Sequence, residues 1–291
     1  MSKILYRIEI AFIYMLSLLP LRILYLLSDI VYFIVYIIIG YRKKVVFTNL
    51  QNSFPEKSED EIKVIAKKYY SYFCDLIIEI IKNITISENA VRKHVRFRDT
   101  SIFQKFYDKK QSVIIVMGHF GNWEFGGARF CIEKLHELVV IYHPLKNKYF
   151  DTLFYQMRTR FGNRLYSQNE VLRGMIKDRE KLTATAFIAD QTPSAPNAYW
   201  TNFLHQDTPV FTGIGKIAKK LNYPVIYVSM HQLKRGYYEI LSELIVENPE
   251  KMSENEISEL HTRSLEKDIK ENPEFWIWSH RRWKHKRIEK N

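Results

Sequence analysis

Two apolar runs open the chain. Ile8–Leu19 is mostly hydrophobic behind Arg7 and Glu9, Pro20 and Arg22 interrupt it, and Ile23–Ile39 resumes with Asp29 inside and Gly40 at its end. Each run falls short of the ~20 residues that cross a bilayer comfortably. They predict one tilted span over Ile23–Ile39 beside an interfacial first run, or two interfacial helices, or two buried helices of a soluble body. Tyr41-Arg42-Lys43-Lys44 then begins a basic flank, which puts the main body on the cytoplasmic side. The chain turns over Asn49–Ser58. Ser58 and Glu61 stand at capping-box spacing, and Ile62, Ile65, Tyr69, Phe73 and Ile77 recur at helical spacing to about Ile81. That aromatic stripe reads first as core packing and second as the wall of an apolar site.

Strand and helix patterns then alternate. Short elements are expected at His94–Asp99 (strand) and Ile102–Lys109 (helix). The β-branched run Val113–Met117 ends at Gly118 and feeds a helical pattern reaching about Leu135. Leu138–Tyr142 is a strand, Tyr149–Arg160 and Glu170–Arg179 are helices, and Thr185–Ala189 is a strand ending at Asp190-Gln191. Pro209–Lys220 reads as a helix, Pro224–Met230 as a strand, Tyr237–Val246 as its antiparallel partner through Gly236, and Ile257–Lys270 as the last long helix. This order predicts an α/β fold, a mixed and mostly parallel sheet covered by helices. An N-terminal membrane-associated helical segment (1–45) precedes a single body (46–291).

Charge and cysteine usage narrow the partners. The 291 residues carry a formal net charge of +12, which suits nucleic acid, an anionic membrane face or an acidic protein. Zinc spacings, a basic-aromatic RNA signature and a helix-turn-helix cue are all missing from the sequence, so no nucleic acid partner is expected. Cys74 and Cys131 are far apart and imply neither a disulfide framework nor a metal site.

The stretch Gly118–Glu124 carries the candidate chemistry. On one helix, His119 and Glu124 would lie about 140° apart. Across the turn Gly118–Asn122 they can converge, with the imidazole as proton acceptor and the carboxylate as its orienting partner. The alternative is a structural histidine beside an ordinary first-turn acid. Arg158, Arg160 and Arg164 surround Gly162-Asn163, as a headgroup site or a solvated basic face. Asp190-Gln191 ends a strand, as His119 does, and could orient a second substrate, help the histidine or simply form a turn. His280-Arg281-Arg282-Trp283-Lys284 follows Phe275-Trp276-Ile277-Trp278, a mixture suited to a membrane interface or a lipid phosphate.

The segment G-H-F-G-N-W-E at Gly118–Glu124 resembles the H-x4-E/D signature of the lysophospholipid acyltransferase superfamily. With L-P-L-R-I-L-Y at Leu19–Tyr25, G-Y-R-K-K-V-V at Gly40–Val46, R-F-G-N-R-L at Arg160–Leu165, A-D-Q at Ala189–Gln191 and W-S-H-R-R-W-K at Trp278–Lys284, the chain resembles the late acyltransferases of lipid A biosynthesis. The resemblance implies a glycerolipid-acyltransferase-like fold at the inner membrane. It implies acyl transfer from a thioester, usually acyl carrier protein, to a hydroxyl of an anionic lipid acceptor. His119 would be the general base and Glu124 its partner. Arg160, Asn163, Arg164, Asp190, Gln191, Arg281 and Arg282 would be candidate substrate contacts. No metal or organic cofactor is implied. An E-G-x-R-type block is missing, which argues against a lysophosphatidate acyltransferase, and so is a G-x-S-x-G elbow, which argues against an esterase. Another glycolipid, aminolipid or lysophospholipid acceptor stays open. Asn202-Phe203-Leu204-His205 stands where the family usually has F-F-G, leaving that loop's shape open.

Overall fold

A computed structural model describes residues 3–193 and 198–287; residues 1–2, 194–197 and 288–291, with the chain ends of both expected regions, lie outside the description. The first helices are α1 (Lys3–Leu18) and α2 (Leu21–Tyr32), the latter continued by a π-helical stretch, Phe33–Ile39, that ends at Gly40 in left-handed backbone. Next come α3 (Lys43–Ser53), α4 (Glu59–Asn83) and α5 (Glu88–His94). The body continues through β1 (Val95–Phe97), α6 (Ser101–Asp108), β2 (Val113–Met117), α7 (Trp123–Glu133), β3 (Glu137–Tyr142), α8 (Lys148–Thr159), β4 (Arg164–Ser167), α9 (Val171–Lys177) and β5 (Thr183–Ile188). It closes with β6 (Tyr199–Phe203), β7 (Gln206–Val210), α10 (Gly213–Leu221), β8 (Val225–Lys234), β9 (Tyr237–Val246) and α11 (Glu254–Glu271).

Seven strands form one sheet in the order β1-β9-β8-β2-β5-β3-β4. Every pair is parallel except β8 with β9. The mixed, mostly parallel sheet is the architecture that the sequence predicts. Successive residues of β2 serve opposite faces. Ile114 and Val116 join Tyr69, Tyr70, Ile214 and Leu265 on one side, while Val113 and Ile115 join Phe103, Phe106, Phe125 and Phe130 on the other. A strand buried on both sides has to be apolar throughout, as β2 is.

Local signals explain some elements and tertiary contacts the others. Ser58 and Glu61 form the expected capping box of α4, and its tyrosine stripe is core, with Tyr69 and Tyr70 fully buried. Helix α3 occupies residues read as a basic flank and turn. Its pattern is weak, but Val46 and Leu50 are buried, and Asn49 donates to the carbonyls of Trp278 and His280. Pro209 lies in strand β7 and not at a helix start. Leu204 and His205 adopt φ of 51° and 62°, making a tight hairpin of β6 and β7 without the usual Asn-Gly signal. Glu266 holds that turn by accepting the Leu204 amide at 2.7 Å.

Leu21–Ile39 is 19 residues of helix, long and apolar enough to cross a membrane. One side is tied to the body. The Tyr25 hydroxyl donates to Glu79 at 2.6 Å, the Ser28 hydroxyl donates to Asp75 at 2.6 Å, and Arg235 bridges Asp29 and Asp75. The other side leaves Leu26, Ile30, Phe33, Ile37, Ile38 and Ile39 exposed.

Candidate active site

Strand register builds the centre of the site. Parallel strands β2 and β5 pair Met117 with Ile188, so two residues further on His119 and Asp190 leave the sheet side by side. His119 Nδ1 lies 2.7 Å from Asp190 Oδ1, and the His119 backbone amide donates to Oδ2 at 2.9 Å. The Trp276 indole donates to the same Oδ2 at 2.8 Å. Burial works to raise the Asp190 carboxyl, but the His119 ring, its amide and the indole outweigh it and hold the group down to about 2. A carboxylate fixed to Nδ1 leaves Nε2 as the working nitrogen. The ring packs edge-on against Trp123, and its side chain is 20% exposed against 3% for Asp190.

The backbone around the histidine is tightly constrained. A Cβ on Gly121, at φ 63°, would stand 2.0 Å from the Met230 carbonyl oxygen, so only glycine fits. The Gly121 carbonyl accepts the Tyr72 hydroxyl at 2.7 Å, and its amide donates to Phe275. Asn122 Oδ1 caps α7 by accepting the Phe125 amide, while its Nδ2 donates to the buried Glu79 carboxyl at 2.7 Å. Glu79 also accepts the hydroxyls of Tyr25 and Tyr238. Burial pushes this carboxyl up to about 7 against those three donors.

Glu124 makes no hydrogen bond to His119 among the described residues; the side chain bonded to the expected base is Asp190. The Glu124 carboxylate takes a two-point contact from Arg158, whose Nε lies 3.0 and 3.2 Å from the two oxygens. In the first turn of α7, Glu124 is bonded to Arg158 of α8, while Asp190 comes to the histidine from the end of the neighbouring strand. Arg158 Nη1 makes no hydrogen bond among the described residues. The Arg158 side chain as a whole is 25% exposed.

The three arginines around Gly162 do not form one site. Arg158 holds Glu124. Arg164 is paired with Glu137 and Asp178. Asn163 is buried and accepts the Cys131 thiol at 3.1 Å. Arg160 stays exposed, with one bond to the Asn83 carbonyl and its guanidinium over Phe161. Gln191 and Arg281 are exposed beyond the sheet, next to the Thr192 hydroxyl that donates to the Arg282 carbonyl. Arg282 itself is 2% exposed, and Trp276 and Trp278 are buried. These three therefore pack inside the protein and not at a membrane interface. Sequence reasoning missed Trp276, Glu79 and Asn122. Each acts through a contact 43 to 86 positions away in the chain, a separation for which a single sequence offers no signal.

A histidine held by a buried carboxylate where parallel strands end is suited to move a proton during group transfer. The chain belongs to the bacterial lipid A biosynthesis acyltransferase family, whose model matches residues 2–285. It is an acyltransferase of lipid A biosynthesis. It is similar to a lipid A biosynthesis acyltransferase of Haemophilus influenzae, 25% identical over 83% of this chain and 77% of the relative. It is similar to the lipid A biosynthesis palmitoleoyltransferase of Escherichia coli, 22% identical over 84% and 79%. A lipid A biosynthesis myristoyltransferase of Escherichia coli is 20% identical over 59% of this chain and 53% of its own length.

Proposed function

We propose that the protein moves a fatty acyl group from acyl carrier protein to a hydroxyl of a lipid A precursor, the hydroxyl of a 3-hydroxyacyl chain on a phosphorylated glucosamine disaccharide. His119 Nε2 accepts the hydroxyl proton as the oxygen attacks the thioester carbon. Asp190 fixes the ring and balances the imidazolium. As the intermediate collapses the carbon–sulfur bond breaks, and the imidazolium returns the proton to the thiolate, leaving an ester and a free thiol. Arg158, set by Glu124, supplies positive charge to the oxyanion through its free Nη1, so Glu124 serves catalysis through Arg158. Arg160, Gln191 and Arg281 are the exposed groups left to meet the anionic acceptor.

The observation that carries this reading is the 2.7 Å contact between His119 Nδ1 and Asp190, with Nε2 left for substrate. The net charge of +12 favours an acidic carrier and an anionic lipid. The apolar sides of α1 and α2, with Phe12, Met15, Leu26, Ile38 and Ile39 exposed, face the membrane. The body lies on the cytoplasmic side, behind the flank at Arg42–Lys44. Purified protein given acyl carrier protein thioester and lipid A precursor should add one acyl chain, seen by mass spectrometry. No mass gain with any thioester would reject the reading.

A further inference from the structure

Asp190 faces a second space besides the histidine. A small cavity, with room for about one water molecule, is lined by Asp190, Ala189, Tyr227, His261, Thr262 and Arg282. Arg282 is 2% exposed. Its Nη2 donates to the Pro209 carbonyl at 2.6 Å. Its Nε and Nη1 have no hydrogen-bond partner among the described residues. A buried cation with no direct ion pair is costly to keep, and packing alone would be served by an apolar side chain. Burial brings this guanidinium down to about 10, while the charge of Asp190 works in the opposite direction.

We propose that Arg282 is a positioning residue that keeps His119 in its neutral, proton-accepting form by balancing the charge of Asp190. This rests on the reading of His119 as the base. A carboxylate opposed by nothing else stabilises the imidazolium beside it and stops the ring from taking a further proton. A fixed cation lining the same small cavity as that carboxylate disfavours a second one at His119. Arg158 is paired with Glu124, and the other ionisable groups around Asp190 supply no buried fixed cation. Tyr227 on β8 is raised well above its ordinary range by burial and by Asp268. Asp268 on α11 is bonded to Tyr227 and His231. Burial holds His261 on α11 down to about 4 and lowers His280. Lys284 is exposed to solvent. Among these groups Arg282 is the buried permanent cation next to Asp190.

The test reads His119 itself. Diethyl pyrocarbonate modifies neutral imidazole, and peptide mass spectrometry of His119 against pH gives a midpoint that does not depend on activity. Arg282→Gln should move that midpoint up by about one pH unit, roughly tenfold in reactivity on the acid side. The acid limb of kcat/KM should move with it, and Arg282→Lys should restore both. If Arg282→Gln fails to fold, Arg282→citrulline, made by ligating a synthetic C-terminal peptide, removes the charge and keeps the shape. Unchanged midpoints in the neutral variants overturn the proposal. A shifted midpoint with an unshifted acid limb supports the charge balance and rejects His119 as the base.

Discussion

Asp190→Asn separates the roles of the two acidic residues near His119. The substitution keeps the size of the side chain and removes one acceptor. In the wild type the ring Nδ1 donates to one oxygen, and the His119 amide and Trp276 indole donate to the other. An asparagine must either turn its NH2 towards two donors or present it to the ring. In the second case Nδ1 becomes the acceptor and Nε2 carries the proton, so the ring can no longer act as base. Loss of general base catalysis costs ~10²–10⁴ in kcat. The stability cost follows from the carboxyl's fall from 3.8 to about 2, nearly two units at about 1.36 kcal/mol each, or about 2 kcal/mol. Because the folded value is depressed, this stability is present above the ordinary carboxylate range and is lost as pH falls towards 2. The variant should therefore show a shallower acid-unfolding slope and a Tm lower by about 4–8 °C. Steady-state acyl transfer from acyl carrier protein gives kcat, and thermal denaturation against pH gives the slope. A wild-type kcat in a folded Asp190→Asn enzyme would refute the role given to Asp190.

Glu124→Gln should leave the acid limb of the pH–rate profile in place while lowering kcat, because it releases Arg158 and does not touch the ring; a shifted limb would restore the His119–Glu124 dyad. Its stability cost should be about 1–3 kcal/mol, read by urea unfolding, since a partly buried arginine loses its charged partner. Glu79 is raised from 4.5 to about 7, chiefly by burial. Its contribution is present below 4.5 and lost as pH rises through 7, about 3 kcal/mol in all. Glu79→Gln should flatten stability over that window, and an unchanged pH dependence would contradict the buried network. Gly121→Ala should cost more than about 3 kcal/mol, because the added Cβ meets the Met230 carbonyl at φ 63°; a wild-type Tm would show that the turn relaxes.

The sheet was legible because β2, β5 and β8 are short β-branched runs between turn residues, and the capping box of α4 marks its own start. The histidine was legible for the same reason: it follows an obvious strand through glycine. Its partner was only partly legible: Asp190 at a strand end could help the histidine, but closeness along the chain favours Glu124, whereas the parallel register of β2 with β5 brings Asp190 to the ring. Charge alone was equally misleading at the arginines. Arg164 and Arg282 look like surface cations in the sequence. One is held by Glu137 and Asp178, and the other is buried and bonded to the Pro209 carbonyl. Helix α3 and the β6–β7 hairpin depend on contacts from Trp278, His280 and Glu266, which no local pattern encodes.

In direct transfer from the thioester, His119 takes the acceptor's proton. The most direct measurement is mass-spectrometric single-turnover transfer from acyl carrier protein to a lipid A precursor by purified wild-type and His119→Ala proteins, with folding checked by circular dichroism. The wild type should gain one acyl chain, and the folded variant should react ~10²–10⁴ times more slowly. A folded His119→Ala protein that transfers at the wild-type rate would contradict that role of His119.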